Sequence, residues 1–169
     1  MKTRERFEWA VEMLDIKPDD KILEIGCGAG LAVELVAGKL GGGSITAIDR
    51  SEAMIKLASN RNSQYIASKK AKLVTGEFSN LRFDAHSFNK IFAFNVGSLL
   101  KNNKNEFNTV RSWLTTDGKL YIFYQPPFEK TTQIAKEVNE QLKENNFRIV
   151  ETVFRKLNPA SAFCIVAKP

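Results

Sequence analysis

The chain has little of the chemistry that marks a disulfide-stabilised or zinc-binding protein. It contains two cysteines, Cys27 and Cys164, no Cys-x-x-Cys pair and a single histidine, His86. Two isolated cysteines without a nearby histidine provide neither a disulfide framework nor a zinc site. We therefore expect no disulfide and no metal ion in this protein.

Long hydrophobic runs are also missing. No apolar stretch approaches the roughly 18 residues that suggest a membrane span. The first 16 residues, MKTRERFEWAVEMLDI, are charged and amphipathic, which is not the pattern of a secretory signal. The sequence thus predicts a cytoplasmic protein that is not associated with a membrane.

The charge balance is basic but not concentrated. Lys and Arg number 25 against 19 Asp and Glu in 169 residues, a net charge of +6, which favours anionic partners only weakly. We interpret the small clusters at residues 69–72 and 101–104 as solvated surface. No RNA-recognition motif, zinc knuckle or arginine-rich tail is present. The length predicts one domain, residues 1–169.

Short β-rich runs alternate with stretches of helical periodicity, the pattern of a parallel sheet with crossover helices. The predicted strands are residues 21–25, 44–49, 72–75, 90–95, 119–124, 147–154 and 163–167. Helices are predicted at 3–14, at 31–40, from an N-cap at Ser51, before a turn at 116–118, and around Val138. The last two strands have a short connection, so they should form an antiparallel hairpin. The prediction is a doubly wound α/β fold.

A glycine loop joins the first strand to the following helix. It reads Glu24-Ile-Gly-Cys-Gly-Ala-Gly30, and Asp49 ends the next strand. Such a loop brings backbone N–H groups close to a ligand, and an acid at the end of strand two can accept hydrogen bonds from ribose hydroxyls. The loop alone is a weak signal. Combined with Glu24 and Asp49, it predicts a ligand that carries a ribose.

The same motifs resemble those of the class I S-adenosylmethionine-dependent methyltransferases. LEIGCGAG is similar to the first motif of that family and ITAIDRS to its second. Residues 74–77, 81–91 and 116–122 resemble later motifs in the same order, so the resemblance extends over roughly residues 5–167. It implies a Rossmann-like sheet of seven strands with the last one reversed, S-adenosyl-L-methionine as cofactor, and methyltransferase activity.

The resemblance also implies a role for several residues. Gly26, Cys27 and Gly28 would pass backbone beneath the methionine and ribose of the cofactor. Glu24 would orient its amino-acid end, and Asp49 would hold the ribose diol.

At the adenine end, the resemblance places Arg50 and Met54 near the face of the ring. Glu77 would accept a hydrogen bond from the adenine amino group, and Phe78 would pack beside the ring. Asn95 would border the methionine and the methyl group. The chain departs from the family where Glu77 replaces a commoner Asp. It departs again where Asn89 stands before strand four in place of Asp.

The acceptor is less constrained than the cofactor, and no catalytic residue stands out. Without large insertions, a lid would come from the N-terminal helix, from residues 96–104 or from a second subunit of a homodimer. Gln125-Pro-Pro-Phe128 is interpreted as a rigid exit from strand five, from which Tyr124 and Phe128 can line the substrate side. The motif style favours a small-molecule acceptor over RNA or protein.

Two other classes of function stay open at this point. One is an NAD(P)-binding oxidoreductase, although Leu31 stands where the dinucleotide fingerprint has its third glycine. The other is a cofactor-binding protein without catalytic activity.

We predict that His86 is dispensable for turnover. It precedes strand four, whereas ligands of open α/β sheets bind beyond the carboxyl ends of the strands, where Asn95 lies. His86→Ala should retain the methyl-transfer rate within a few-fold at saturating cofactor. Asn95→Ala should lose at least about tenfold, near 1.4 kcal/mol of barrier. A reversed order of the two rates would place the active-site mouth elsewhere.

Overall fold

One sheet of seven strands organises the protein. The computed structural model describes residues 2–100, 104–127 and 130–169. In the sheet the strands follow the order β3-β2-β1-β4-β5-β7-β6. They are β1 (Lys21–Ile25), β2 (Ser44–Asp49), β3 (Ala71–Thr75), β4 (Phe88–Phe94), β5 (Leu114–Tyr124), β6 (Arg148–Arg155) and β7 (Ala162–Lys168).

The pairing confirms the predicted fold class. β1, β2, β3, β4 and β5 pair in parallel, and β7 is antiparallel to both β5 and β6. β7 is therefore the reversed strand of an otherwise parallel sheet, the seven-stranded arrangement that the resemblance implies.

Helices cover both faces of the sheet. They are α1 (Lys2–Met13), α2 (Leu31–Ala37), α3 (Glu52–Arg61), α4 (Ser63–Ala67), α5 (Lys104–Trp113) and α6 (Thr131–Glu144). Alternate strand residues point to opposite faces. Ile22, Phe92 and Tyr121 thus join the core under α1 and α2, whereas Leu23 and Ile122 join the core under α5 and α6. Burial on both faces explains the apolar runs in the inner strands, such as residues 91–94 of β4 and 162–167 of β7.

Most element bounds differ from the predicted ones by a few residues. Helix α2 ends at Ala37 rather than at residue 40, and α4 was not predicted. Residues 116–118 do not separate α5 from β5 as a free turn. They lie within β5, where its register with β4 shifts between Phe88 and Lys90. Ser51 is the N-cap of α3 as predicted, since its hydroxyl accepts from the Met54 backbone N–H at 3.3 Å.

Across the described ranges, no helix is both long and apolar enough to cross a membrane.

The glycine loop is fastened to α3 by a buried amide. Asn62, fully buried at the end of α3, donates from Nδ2 to the carbonyl oxygens of Gly30 and Ala58, both at 2.9 Å. Gly30 has φ +75°, and a Cβ there would lie 2.7 Å from the Cβ of Ala58. Close packing and left-handed backbone together require glycine at this position.

We expect Asn62→Ala to destabilise the protein and loosen the loop. The change removes two hydrogen bonds from a buried site, which should lower the free energy of unfolding by about 1–2 kcal/mol. Asn60→Ala, on the exposed side of the same helix, is the control and should stay within about 0.5 kcal/mol. Urea denaturation of the two variants measures the difference. Equal stabilities would show that the amide does not anchor the loop.

Candidate active site

A cavity of about 590 Å³ opens at the carboxyl ends of four adjacent strands. Its lining comes from the ends of β1, β2, β3 and β4, together with one residue of α5. The lining residues are Ile25, Gly26, Ile48, Asp49, Arg50, Gly76, Glu77, Phe78, Phe94, Asn95, Val96, Gly97, Ser98 and Glu106. The strand order reverses between β1 and β4, so the cavity lies at the topological switch point, where open α/β sheets bind ligands. Its volume is within the range of small-molecule sites.

The glycine loop folds back onto the end of β2. The backbone N–H groups of Gly26 and Cys27 donate to the carbonyl of Ile48 at 2.8 and 3.0 Å, and that of Gly28 donates to Asp49 Oδ2 at 2.8 Å. These donors are therefore engaged within the protein. The loop shapes the cavity more than it offers N–H groups to a ligand, contrary to what the sequence suggested.

Asp49 links the loop to the start of α3. While Oδ2 accepts from Gly28, Oδ1 accepts from the backbone N–H of Ser51 at 2.9 Å. Each carboxylate oxygen has a second lone pair, and Asp49 lines the cavity. The side chain is consequently held in place and still able to accept from a ligand hydroxyl.

Two glycines of the loop serve different purposes. A Cβ at Gly26 would lie 2.6 Å from Val96 Cγ2, so Gly26 allows the loop to approach the chain leaving β4. A Cβ at Gly28 would meet no protein atom within 4 Å. Gly28 has φ +51°, which favours glycine, and the free space beside it is available to a ligand.

Glu24 is a buried acid without a partner. It is 1% exposed, and its Oε2 has no hydrogen-bond partner among the described residues. Burial, reinforced by the nearby Asp49 carboxylate, raises the pKa of Glu24 to about 8. A buried polar atom left unpaired costs free energy. Glu24 is not itself among the lining residues, but it directly precedes Ile25 and Gly26, which are, and its unpaired atom suggests a ligand that pairs with it.

The residues predicted for the adenine end are only partly brought together. Arg50 and Glu77 both line the cavity, with Arg50 Nη1 at 3.9 Å from Glu77 Oε1 and side-chain exposures of 81% and 58%. Phe78 lines the cavity too and packs edge-on against Trp113 at 5.4 Å. Met54, in the first turn of α3, is not among the lining residues.

Cys27 is buried at 7% exposure, and its thiol donates to the Gly28 carbonyl at 3.7 Å. Burial, followed by the neighbouring carboxylates of Glu24 and Asp49, raises the pKa of this thiol far above its usual range. Because the thiolate is the nucleophile, Cys27 is suited to packing and not to covalent chemistry.

Asn95 forms a hydrogen bond between two strand ends that the sequence pattern does not predict. It adopts φ +57°, and its Oδ1 accepts from the backbone N–H of Gln125 at 2.8 Å, joining the ends of β4 and β5. Gln125 in turn donates from Nε2 to the carbonyl of Ala160 at 2.9 Å. Alanine at position 95 would strain left-handed backbone. Asn95→Gly is therefore the cleaner variant for removing the amide.

His86 lies before β4, at the amino ends of the parallel strands, whereas the cavity lies at their carboxyl ends. Its Nδ1 is 2.9 Å from the carbonyl oxygen of Leu114, and its backbone N–H donates to Ser112 at the same distance. Tyr124 packs on Phe163 and is not among the cavity-lining residues, while Phe128 lies outside the described residues.

Two polar residues at the site carry no sequence motif. Glu106 of α5 lines the cavity, and its Oε2 is buried without a partner in the described structure. Arg6 of α1 is not itself among the lining residues but lies over Phe94, which is, and its Nε is likewise buried and unpaired. The sequence pattern of α1 and α5 does not predict that these two residues lie near the cavity, because their positions depend on how the helices pack on the sheet.

Comparison with known proteins agrees with this geometry. A sequence model described as a methyltransferase domain matches residues 22–118, more than half of the chain. In Bacillus subtilis (strain 168), the putative methyltransferase YrhH is 28% identical over 157 residues, which covers 93% of this chain and 82% of the relative. The uncharacterized methyltransferase YdaC of the same organism is 25% identical over 166 residues, covering 95% and 90%.

Solved structures with the same fold include proteins of several activities. A SAM dependent methyltransferase from Aquifex aeolicus has a TM-score of 0.78 at 17% identity, covering 95% of this chain and 88% of that one. The [4+2]-cyclase SpnF scores 0.81 at 14%, covering 98% and 81%. Magnesium protoporphyrin IX methyltransferase from Synechocystis PCC 6803 scores 0.77 at 16%, covering 99% and 83%. At these identities the likeness shows the fold.

Glu24 should make the stability of the protein depend on pH. Its pKa is raised in the folded state from 4.5 to about 8. The free energy of unfolding should therefore be highest below pH 4.5, as far as this group contributes, and should fall as the pH rises through 8. Glu24→Gln should flatten this decline, as measured by thermal unfolding without ligand across that range.

The exposed Glu12 of α1 provides the matched control, and Glu12→Gln should keep the wild-type pH profile. Superimposable profiles for wild type and Glu24→Gln would mean that the Glu24 carboxyl ionises as it does in water.

Proposed function

The chain belongs to the methyltransferase-domain family, the class I S-adenosylmethionine-dependent enzymes, and from this premise we propose that it methylates a small-molecule acceptor. The observation that carries the proposal is the charge of the cavity. Among the described residues its lining includes three carboxylates and one highly exposed cation, Arg50. Asp49 and Glu77 belong to the cofactor in the arrangement proposed below, and Glu106 is the carboxylate left to face an acceptor. In a chain of net charge +6, an acidic cavity disfavours a polyanionic acceptor and suits a small ligand that is neutral or cationic.

The basic cluster at residues 69–72 does not serve this cavity. It lies around the start of β3, at the amino ends of the parallel strands, whereas the cavity lies at their carboxyl ends. Lys70 is occupied there, because its Nζ donates to the Leu40 carbonyl at 2.6 Å. An RNA acceptor would need basic groups that lead to the site of methyl transfer. For this cluster the separation supports a small molecule over RNA; the other basic cluster, at residues 101–104, falls largely outside the described residues.

The residues in and around the cavity suit the ribose, the ammonium group and the adenine of the cofactor. In the proposed arrangement, Asp49 accepts from the ribose hydroxyls, and Glu24 pairs with the ammonium group through the oxygen that lacks a partner. Gly28 leaves room beneath the ribose. Phe78 and Glu77 border the adenine, and Arg50 covers its outer side.

Bound S-adenosylmethionine supplies a methyl group that is already activated by a sulfonium leaving group. The protein then contributes mainly position, which is worth roughly 7–11 kcal/mol when two reactants are well oriented. The loop fastened to Ile48 and Asp49 holds the donor in place, and Asn95 keeps the end of β4 next to that of β5. A general base is needed only for an acceptor that is protonated at neutral pH.

The other functions have less support. The family match gives no support to an NAD(P)-dependent oxidoreductase. The fold alone does not exclude other chemistry, since SpnF, a [4+2]-cyclase, shares it at 14% identity. Methylation of RNA or protein is the second candidate and is decided by the same experiment as the first.

The test follows the methyl group. Protein is incubated with S-adenosylmethionine labelled on the methyl carbon and a cell extract, which is then separated into low-molecular-mass, RNA and protein fractions. We expect the label in the low-molecular-mass fraction. Asp49→Ala is the control for background labelling, because losing hydrogen bonds to a charged acceptor should weaken cofactor binding by about 1.5–3 kcal/mol. Label concentrated in RNA or protein, and dependent on Asp49, would overturn the proposal.

A further inference from the structure

We propose that Arg6 of α1 binds the α-carboxylate of the cofactor, so that Arg6 and Glu24 together hold the two charges of its amino-acid group. The inference deepens the proposed function, because it rests on S-adenosylmethionine occupying the cavity described above. It assigns to α1 a direct part in ligand binding that no sequence motif indicates.

The environment of Arg6 is unusual for a helix arginine. Its guanidinium carbon lies 5.2 Å from the ring centroid of Phe94 and 4.9 Å from that of Phe7. Its Nε is buried and has no acceptor among the described residues. By contrast, Arg4, on the same helix, is 57% exposed and pairs with Glu8 at 2.8 Å. Arg6 thus keeps a charged N–H group out of water without a protein partner, an arrangement that costs free energy unless a ligand completes it.

Arg6 and Glu24 lie on the same side of the sheet. Glu24 pairs in register with Phe92 of β4, and Phe92 and Phe94 both belong to the core cluster under α1 and α2. Glu24 therefore faces that layer, and the guanidinium of Arg6 covers Phe94, the residue that ends β4 and lines the cavity. The two side chains do not form an ion pair. They provide an unpaired cation and an unpaired acid near the β1–β4 crevice, as a zwitterion requires.

Other groups around the cavity are poorly suited to a carboxylate. The N–H groups of Gly26, Cys27 and Gly28 already donate to Ile48 and Asp49. Helix α2 (Leu31–Ala37), which follows the loop, contributes no residue to the lining of the cavity. Arg50 follows β2, which β1 separates from β4, and it is 81% exposed next to Glu77.

A pair of ligands isolates the carboxylate contact. S-adenosylhomocysteine carries the amino-acid group, whereas 5′-methylthioadenosine has the same adenosine and thioether without it. Dissociation constants of both are measured by calorimetry for wild type, Arg6→Met, Arg6→Lys and Arg4→Met. Methionine keeps an unbranched side chain on the two phenylalanine rings, so Arg6→Met should fold. Arg4→Met removes the same charge from the same helix and controls for long-range electrostatics.

We expect Arg6→Met to weaken S-adenosylhomocysteine about ten- to hundredfold, as for a lost charge-assisted hydrogen bond, and to leave 5′-methylthioadenosine within about twofold. Arg6→Lys should recover part of the loss, because it restores the charge without the planar fork. Arg4→Met should bind both ligands like wild type.

Three results would overturn the inference. Equal weakening of both ligands by Arg6→Met would assign Arg6 to the shape of the cavity instead of to the carboxylate. Unchanged S-adenosylhomocysteine affinity in Arg6→Met would place the carboxylate elsewhere while leaving the proposed function intact. A wild-type protein that binds neither ligand would remove the cofactor site itself, and the inference with it.

Discussion

The return of the glycine loop onto the end of β2 is the constraint on which the rest of the site depends. Two N–H groups converge on the Ile48 carbonyl and a third reaches the Asp49 carboxylate. These bonds fix the path of the chain between β1 and α2, and Asn62 fixes the same path from the side of α3. The cavity is therefore preorganised by the protein's own backbone, and ligand binding does not have to order this segment.

Much of the fold followed from periodicity and from the positions of the loops. Parallel strands have their carboxyl ends on the same side of a sheet, so the strand pattern alone predicts that Gly26, Asp49, Glu77 and Asn95 lie close together. The reversal of β7 followed from a short connection. What sequence could not supply was the use of each hydrogen-bonding group. Glu24 could be placed near the ligand, but its lack of a partner depends on packing in three dimensions.

The roles of Asn95 and Asn89 also depend on contacts between strands that are distant in the sequence. The left-handed backbone of Asn95 and its bond to Gln125 require β4 and β5 to be neighbours, which a local pattern does not encode. Asn89, which stands where an acid is common in the family, proves to accept from the backbone N–H of Lys21 at 2.8 Å. It thereby joins the starts of β4 and β1. An amide performs this task as well as a carboxylate would, so the missing charge removes no contact.

The position of β7 has a consequence for the order in which the sheet is completed. β7 follows β6 in the chain, yet in the sheet it lies between β5 and β6. While the polypeptide is being synthesised, β5 and β6 consequently have no contact with each other that could form a ladder, and β5 has an open edge until β7 arrives. Such an edge is a template for pairing with another chain. The cavity half of the sheet contains β1, β2, β3 and β4, all of which are made earlier, so the ligand site can be assembled while the other half is still vulnerable to aggregation.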